Sequence, residues 1–189
     1  MKKLHLIRHA KSSPSDGTLA DIDRPLNSRG LEACRLMAAH ILKAGCQFEN
    51  VFCSPALRTQ TTIEQMAQQL SQENSRPQNV DPQEVHPQAV YPQKIQWTID
   101  NALYAFEAAS LMAWCQTLDD QMKEVVIVGH NNALTDFINQ IARGQNGKSA
   151  IANLPTCGYA QLALGDIAWS DLSAGTAELL SFLRPKMFE

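Results

Sequence analysis

Four residues able to do chemistry stand where short apolar runs end. Leu4-His5-Leu6-Ile7 leads into Arg8-His9, Val51-Phe52-Cys53 leads into Ser54-Pro55-Ala56-Leu57-Arg58, and Val125-Val126-Ile127-Val128 leads into Gly129-His130-Asn131. A short apolar run stopped by polar residues reads as a buried strand opening into a loop or helix. In open α/β sheets ligands bind beyond the carboxyl ends of the strands. The pattern therefore predicts that Arg8, His9, Arg58 and His130 share one cleft. Two guanidiniums and two imidazoles make a poor core and a good dianion site, because the planar arginine fork matches phosphate oxygens. Each residue alone has a plainer reading. A histidine after a strand is most often a surface or hydrogen-bonded group, Arg58 would be a solvated helix residue, and Gly129 a turn. The conjunction carries the inference.

The elements that must position these residues alternate between strand-like and helical patterns. From about Ser28, apolar residues at Leu31, Cys34, Ala38, Ile41 and Leu42 keep a helical period that Gly45 closes. A second helix after Pro55 turns Leu57, Ile63, Met66, Ala67 and Leu70 inward. Residues 71–94 are rich in Gln, Pro and Asn and read as a surface excursion within a single 1–189 domain. Order returns at Ile95-Gln96-Trp97, and a helix is expected from about Ala108 to Leu118. Another, carrying Leu134, Phe137, Ile138 and Ile141, follows His130. Tyr159 to Leu164 and Glu178 to Leu183 are strand-like, with an antiparallel arrangement open to them. The alternation predicts an α/β fold with a mostly parallel sheet and helices on both faces.

Bulk properties narrow the function classes. The chain has 189 residues, is 44% hydrophobic and 19% charged, and has a formal net charge of -3. No general field therefore favours nucleic acid or an anionic membrane, and a phosphate ligand would need a local cluster of positive groups. No apolar run approaches a membrane span, and Met1 to Arg8 is too short for a signal sequence. The five cysteines, Cys34, Cys46, Cys53, Cys115 and Cys157, show no CxxC spacing. Free buried thiols and a cytoplasmic location are the expectation. No ligand set with zinc, magnesium or calcium spacing is apparent, so neither metal nor cofactor is expected.

At these motifs the chain resembles the histidine phosphatase superfamily, whose signature is Arg-His-Gly; here Leu6-Ile7-Arg8-His9-Ala10 has Ala10 at the glycine position. Lys11-Ser12-Ser13, Asp23-Arg24-Pro25-Leu26 with Arg29-Gly30, Ser54-Pro55-Ala56-Leu57-Arg58-Thr59 with Thr61, Val128-Gly129-His130-Asn131, and Asn153-Leu154-Pro155-Thr156-Cys157-Gly158 are similar to its SixA-type branch of phosphohistidine phosphatases. The resemblance runs in order from Met1 to about Arg184, weakest at 71–97. It implies a three-layer α/β/α sandwich and a metal-independent phosphatase. It also implies His9 as the nucleophile, Arg8 and Arg58 as phosphoryl ligands, and His130 as a further phosphoryl contact. The physics agrees: a neutral imidazole is a competent nucleophile, and phosphoryl transfer asks the protein mainly for positioning and charge.

The proton donor is not fixed by these motifs. Where many relatives carry an acid after a Leu-Tyr pair, this chain has Ala105, with Glu107 two positions on. Glu107 is the candidate donor; it can equally open the next helix, where a carboxylate suits the dipole. Asp16, Asp21 and Asp23 are weaker candidates. Three functions follow: hydrolysis of phosphohistidine on a partner protein, hydrolysis of a small phosphorylated metabolite, or phosphate binding without catalysis. A mutase-like transferase would need further acid and binding residues that the sequence does not display.

Overall fold

The computed structural model describes residues 1–14, 17–75, 94–142 and 149–189. Its order is β1 (Lys2–Arg8), α1 (Ser28–Lys43), β2 (Asn50–Cys53), α2 (Leu57–Asn74), β3 (Trp97–Ile99), α3 (Ala108–Cys115), β4 (Glu124–Gly129), α4 (Ala133–Ile141), β5 (Tyr159–Gly165) and β6 (Glu178–Leu183). The six strands form one sheet in the order β3-β2-β4-β1-β5-β6. Pairings β2–β3, β2–β4 and β1–β4 are parallel; β1–β5 and β5–β6 are antiparallel.

Both faces of the sheet are covered, which makes the α/β/α sandwich. Phe137, Ile138 and Ile141 of α4 and Leu111 of α3 pack on Leu4, Leu6, Val125 and Ile127. Met37, Ile41, Ile63 and Met66 of α1 and α2 pack on the opposite face, against Ile7, Val126 and Val128. Alternate residues of β1 and β4 thus serve two cores, which is why β4 is buried throughout and reads as an unbroken apolar run. Val125 to Val128 are each 0% exposed.

Three details differ from the sequence expectation. α2 continues to Asn74, so the polar stretch from Ser71 begins as helix, and residues 76–93 of the expected excursion lie outside the described residues. Leu57 does not face inward: it is 42% exposed, because it opens α2 on the solvent side and leaves the buried place to its neighbour Arg58. α3 ends at Cys115, where Gln116 caps it, rather than at Leu118. No helix among the described residues is long and apolar enough to cross a membrane. All five cysteines are buried and unpaired.

The loop after β1 is pressed against the start of α1. Asn27 caps that helix by accepting from the Gly30 backbone N–H at 3.0 Å. A Cβ at Gly30 would stand 2.2 Å from the Lys11 carbonyl oxygen. Only glycine allows this approach, which sets the path of Lys11 and Ser12 beside the strand ends.

Candidate active site

Strand register brings the candidate residues together. Arg8 pairs with Gly129, so His9 and His130 leave the sheet side by side; the His9 N–H donates to the Gly129 carbonyl at 3.1 Å. Cys53 pairs with Val128, and the Ser54 N–H donates to the Val128 carbonyl. Ser54 therefore lies next to His130, and α2 starts there with Arg58 in its first turn. Thr62, one turn further, joins the two segments. Its hydroxyl accepts from the Ala10 N–H at 2.9 Å and donates to the Arg58 carbonyl. The result is a cleft of about 310 Å³ lined by Arg8, His9, Lys11, Arg24, Arg58 and His130, with Ser12, Asp21, Phe106, Asn131 and Thr156. Four cations against one carboxylate make it strongly positive within an acidic chain.

Hydrogen bonds assign the ring nitrogens. His9 Nδ1 lies 2.8 Å from the Ala10 carbonyl oxygen. A carbonyl only accepts, so Nδ1 carries the proton and the neutral ring keeps its lone pair on Nε2. Burial, and then the charges of Arg58 and Arg8, lower the His9 pKa to about 4 against the opposing bond to Ala10. Neutral imidazole is thus the form present near pH 7. For His130, Arg58 Nη2 donates toward Nδ1 at 3.4 Å, while Nε2 sits 2.7 Å from Ser54 Oγ. Guanidinium only donates, so Nε2–H points to Ser54. Burial, Arg58 and His9 lower the His130 pKa to about 3.

The arginines are fixed by different partners. Arg8 Nη1 donates to the Leu154 carbonyl at 2.9 Å, and its buried Nε has no partner among the described residues. A buried donor on a cleft-lining guanidinium suits a phosphoryl oxygen. The loop 153–158 is held by Asn131, which donates to Asn153 and Leu154, and by Cys157, whose N–H donates to the His9 carbonyl. Arg58, 4% exposed, donates to the Asp21 backbone carbonyl and, at 2.8 Å, to the Asp21 carboxylate.

Glu107 is not drawn into the cleft. It is exposed and precedes α3, making no capping hydrogen bond, although its neighbour Phe106 lines the cleft. The carboxylate that does line it is Asp21. The Tyr104 hydroxyl donates to it at 2.6 Å, and that bond, with Arg58 and Arg24, holds its pKa far below the ordinary carboxylate range despite partial burial. Such a group is ionised at any working pH and is a poor proton donor. Asp23 does not line the cleft, and Asp16 lies outside the described residues. Tyr104 and Phe106 pack on the His130 ring at centroid distances of 5.3 and 5.4 Å. Sequence reading missed Tyr104 as a site residue, since its bond to Asp21 spans 83 positions.

The histidine pKa values make a stability prediction. Unfolded histidines bind protons below about 6.5, whereas the folded rings resist them down to about 4 and 3. Folding stability is therefore expected to fall as pH drops from about 6.5 toward 4, by a total on the order of a few kcal/mol. Thermal melts across that range should decline more steeply for the wild type than for His130→Asn. Parallel curves would show that the His130 ring is not held neutral.

The sandwich is the phosphoglycerate mutase-like α/β fold, and residues 4–83 match the model of the histidine phosphatase superfamily, branch 1. Among solved structures, the chain is similar to a phosphohistidine phosphatase SixA from Nakamurella multipartitia at TM-score 0.72 and 20% identity, covering 97% of this chain and 96% of that one. It is also similar to the protein histidine phosphatase SixA complexed with tungstate, at TM-score 0.70 and 17% identity, covering 99% of both. A mycobacterial glucosyl-3-phosphoglycerate phosphatase shares the fold at TM-score 0.61 and 12% identity, covering 95% of this chain and 97% of that one.

Proposed function

We propose that the chain is a cytoplasmic, single-domain, metal-independent phosphatase that takes the phosphoryl group from phosphohistidine of a partner protein onto His9. The observation that carries this reading is a neutral His9, with its lone pair on Nε2, in a cleft with Arg8, Arg58 and His130. Nε2 attacks phosphorus while the bond to the leaving imidazole nitrogen breaks. Water then attacks phosphorylated His9, releasing phosphate and restoring the ring. Arg8 and Arg58 bind the equatorial oxygens and supply the charge that metals supply elsewhere. A dianion in the cleft reverses the electrostatic sign felt by His130, so the ring gains a proton on Nδ1 and donates to a phosphoryl oxygen.

The ionised state of Asp21 and the absence of Glu107 from the residues lining the cleft favour a substrate that needs little help in leaving. Imidazole is a better leaving group than an alkoxide, which selects phosphohistidine over an alkyl phosphate. The second reading, a small-metabolite phosphatase, draws on the fold shared with the glucosyl-3-phosphoglycerate enzyme. Turnover of a histidine-phosphorylated protein, an activated aryl phosphate and a phosphoglycerate ester, with EDTA present during the assay, separates the two. The proposal expects the phosphoprotein to exceed the alkyl ester in kcat/KM by tenfold or more. The reverse ranking supports the metabolite reading, and no turnover of any of the three rejects phosphatase function.

A further inference from the structure

A second cluster of reactive side chains lies on the same sheet, away from the phosphate cleft. His5 on β1, Glu124 at the start of β4 and Cys46 in the α1–β2 connection converge on the face covered by α1 and α2. Their exposures are 0%, 7% and 0%. One ligand atom from each falls within 4.8 Å of the others, and His5 Nε2 stands 3.5 Å from Glu124 Oε2. His5 Nε2 is buried and has no hydrogen-bond partner among the described residues.

The surroundings have the form of a metal site. His5 Nδ1 is engaged by the Tyr159 hydroxyl at 2.8 Å. That contact orients the ring and leaves Nε2 aimed at Cys46 and Glu124, the outer-shell arrangement of metal-bound histidines. The other Glu124 oxygen, Oε1, accepts from the Gln47 N–H at 2.6 Å, the Phe48 N–H also acts on the carboxylate, and Oε2 is the oxygen turned toward His5 Nε2. Bonds of about 2.0–2.3 Å in a tetrahedral zinc site place ligand atoms roughly 3.3–3.7 Å apart, and the 3.5 Å histidine–carboxylate separation fits. A thiolate and a carboxylate also balance a divalent ion, leaving no net charge in the buried site. Gln161 pairs with His5 across β1 and β5, is buried, and brings its amide beside Gly45, the residue before Cys46. A water would complete four-fold coordination.

We propose that His5 Nε2, Cys46 Sγ and Glu124 Oε2 bind one zinc ion that fastens the α1–β2 connection to the middle of β1 and the start of β4. Binding releases the thiol proton to solvent and leaves His5 neutral. The role is structural: His5 lies four residues before His9, about 13 Å along a strand, and no cluster residue lines the cleft. The site stands independently of the phosphatase reading.

The test uses the full chain, expressed without a metal-affinity tag. Elemental analysis should find about one zinc per chain in the wild type and less than a tenth of that in Cys46→Ala or His5→Phe. Protein freed of metal by a chelator and titrated with Co²⁺ should gain thiolate-to-cobalt absorption, saturating at one equivalent, together with a raised Tm. A folded wild-type protein that retains no zinc and gives no cobalt–thiolate band overturns the proposal. In that case the Tyr159 hydroxyl donates to His5, and Nε2–H faces Glu124 across a long contact. The wild-type titration decides the matter even if the variants fail to fold.

Discussion

His9→Ala is expected to lose turnover and the acid-labile phosphoenzyme together, while His130→Ala slows phosphorylation by about 10²-fold or more yet leaves the label on His9. The two rings lie 5.3 Å apart between centroids, so position alone does not separate their roles. Their hydrogen bonds do. His9 is held through Nδ1 by a backbone carbonyl, and that contact dictates which nitrogen keeps its lone pair. His130 is held through Nε2 by Ser54 and shares its Nδ1 with Arg58. The first arrangement frees a nucleophile; the second readies a donor beside an arginine. Rapid quenching of enzyme mixed with an aryl phosphate, followed by mass spectrometry, locates the phosphate. A label on His130, or full turnover by His9→Ala, would overturn the assignment.

Arg58→Ala should lower kcat/KM for the same substrate by about 10²–10³, the scale seen when a preorganised transition-state donor is removed. Arg58→Lys should recover no more than about tenfold, because an ammonium restores the charge but not the fork. A second readout separates lost binding from general damage. After burial, the Arg58 charge is the largest influence lowering the His9 pKa to about 4. In Arg58→Ala that pKa rises toward the ordinary 6.5, and the acid limb of kcat/KM, corrected for substrate ionisation, moves up with it. A limb that stays near pH 4 while activity collapses would mean that Arg58 serves folding rather than the cleft. Asp21 bears on this result: it grips Arg58 from a loop 37 residues earlier in the chain, and a phosphoryl group must share the guanidinium with it.

The sequence by itself determined the strands and what stands at their ends. Apolar runs at Leu4–Ile7, Val51–Cys53 and Val125–Val128 are local signals, and so are the polar residues that stop them. Because parallel strands present their carboxyl ends to one edge, the gathering of Arg8, His9, Arg58 and His130 was legible without coordinates. The pattern also carried both helical layers, since their apolar periods are local. Only the tertiary structure decided which partners complete the cleft. Asp21 and Tyr104 meet across 83 positions, and nothing local marks either as the other's partner. Glu107, attractive from its spacing to the Leu-Tyr pair, is exposed in extended backbone just before α3 and does not line the cleft, whereas its neighbour Phe106 does. The same limit hid His5, Cys46 and Glu124. Ligand spacing along a chain reveals metal sites built within one loop or helix, whereas these three are brought together by the pairing of β1 with β4 and the return of the chain after α1. Strand ends are written in neighbouring residues, but contacts between separate segments arise only when burial of the two cores forces those segments together.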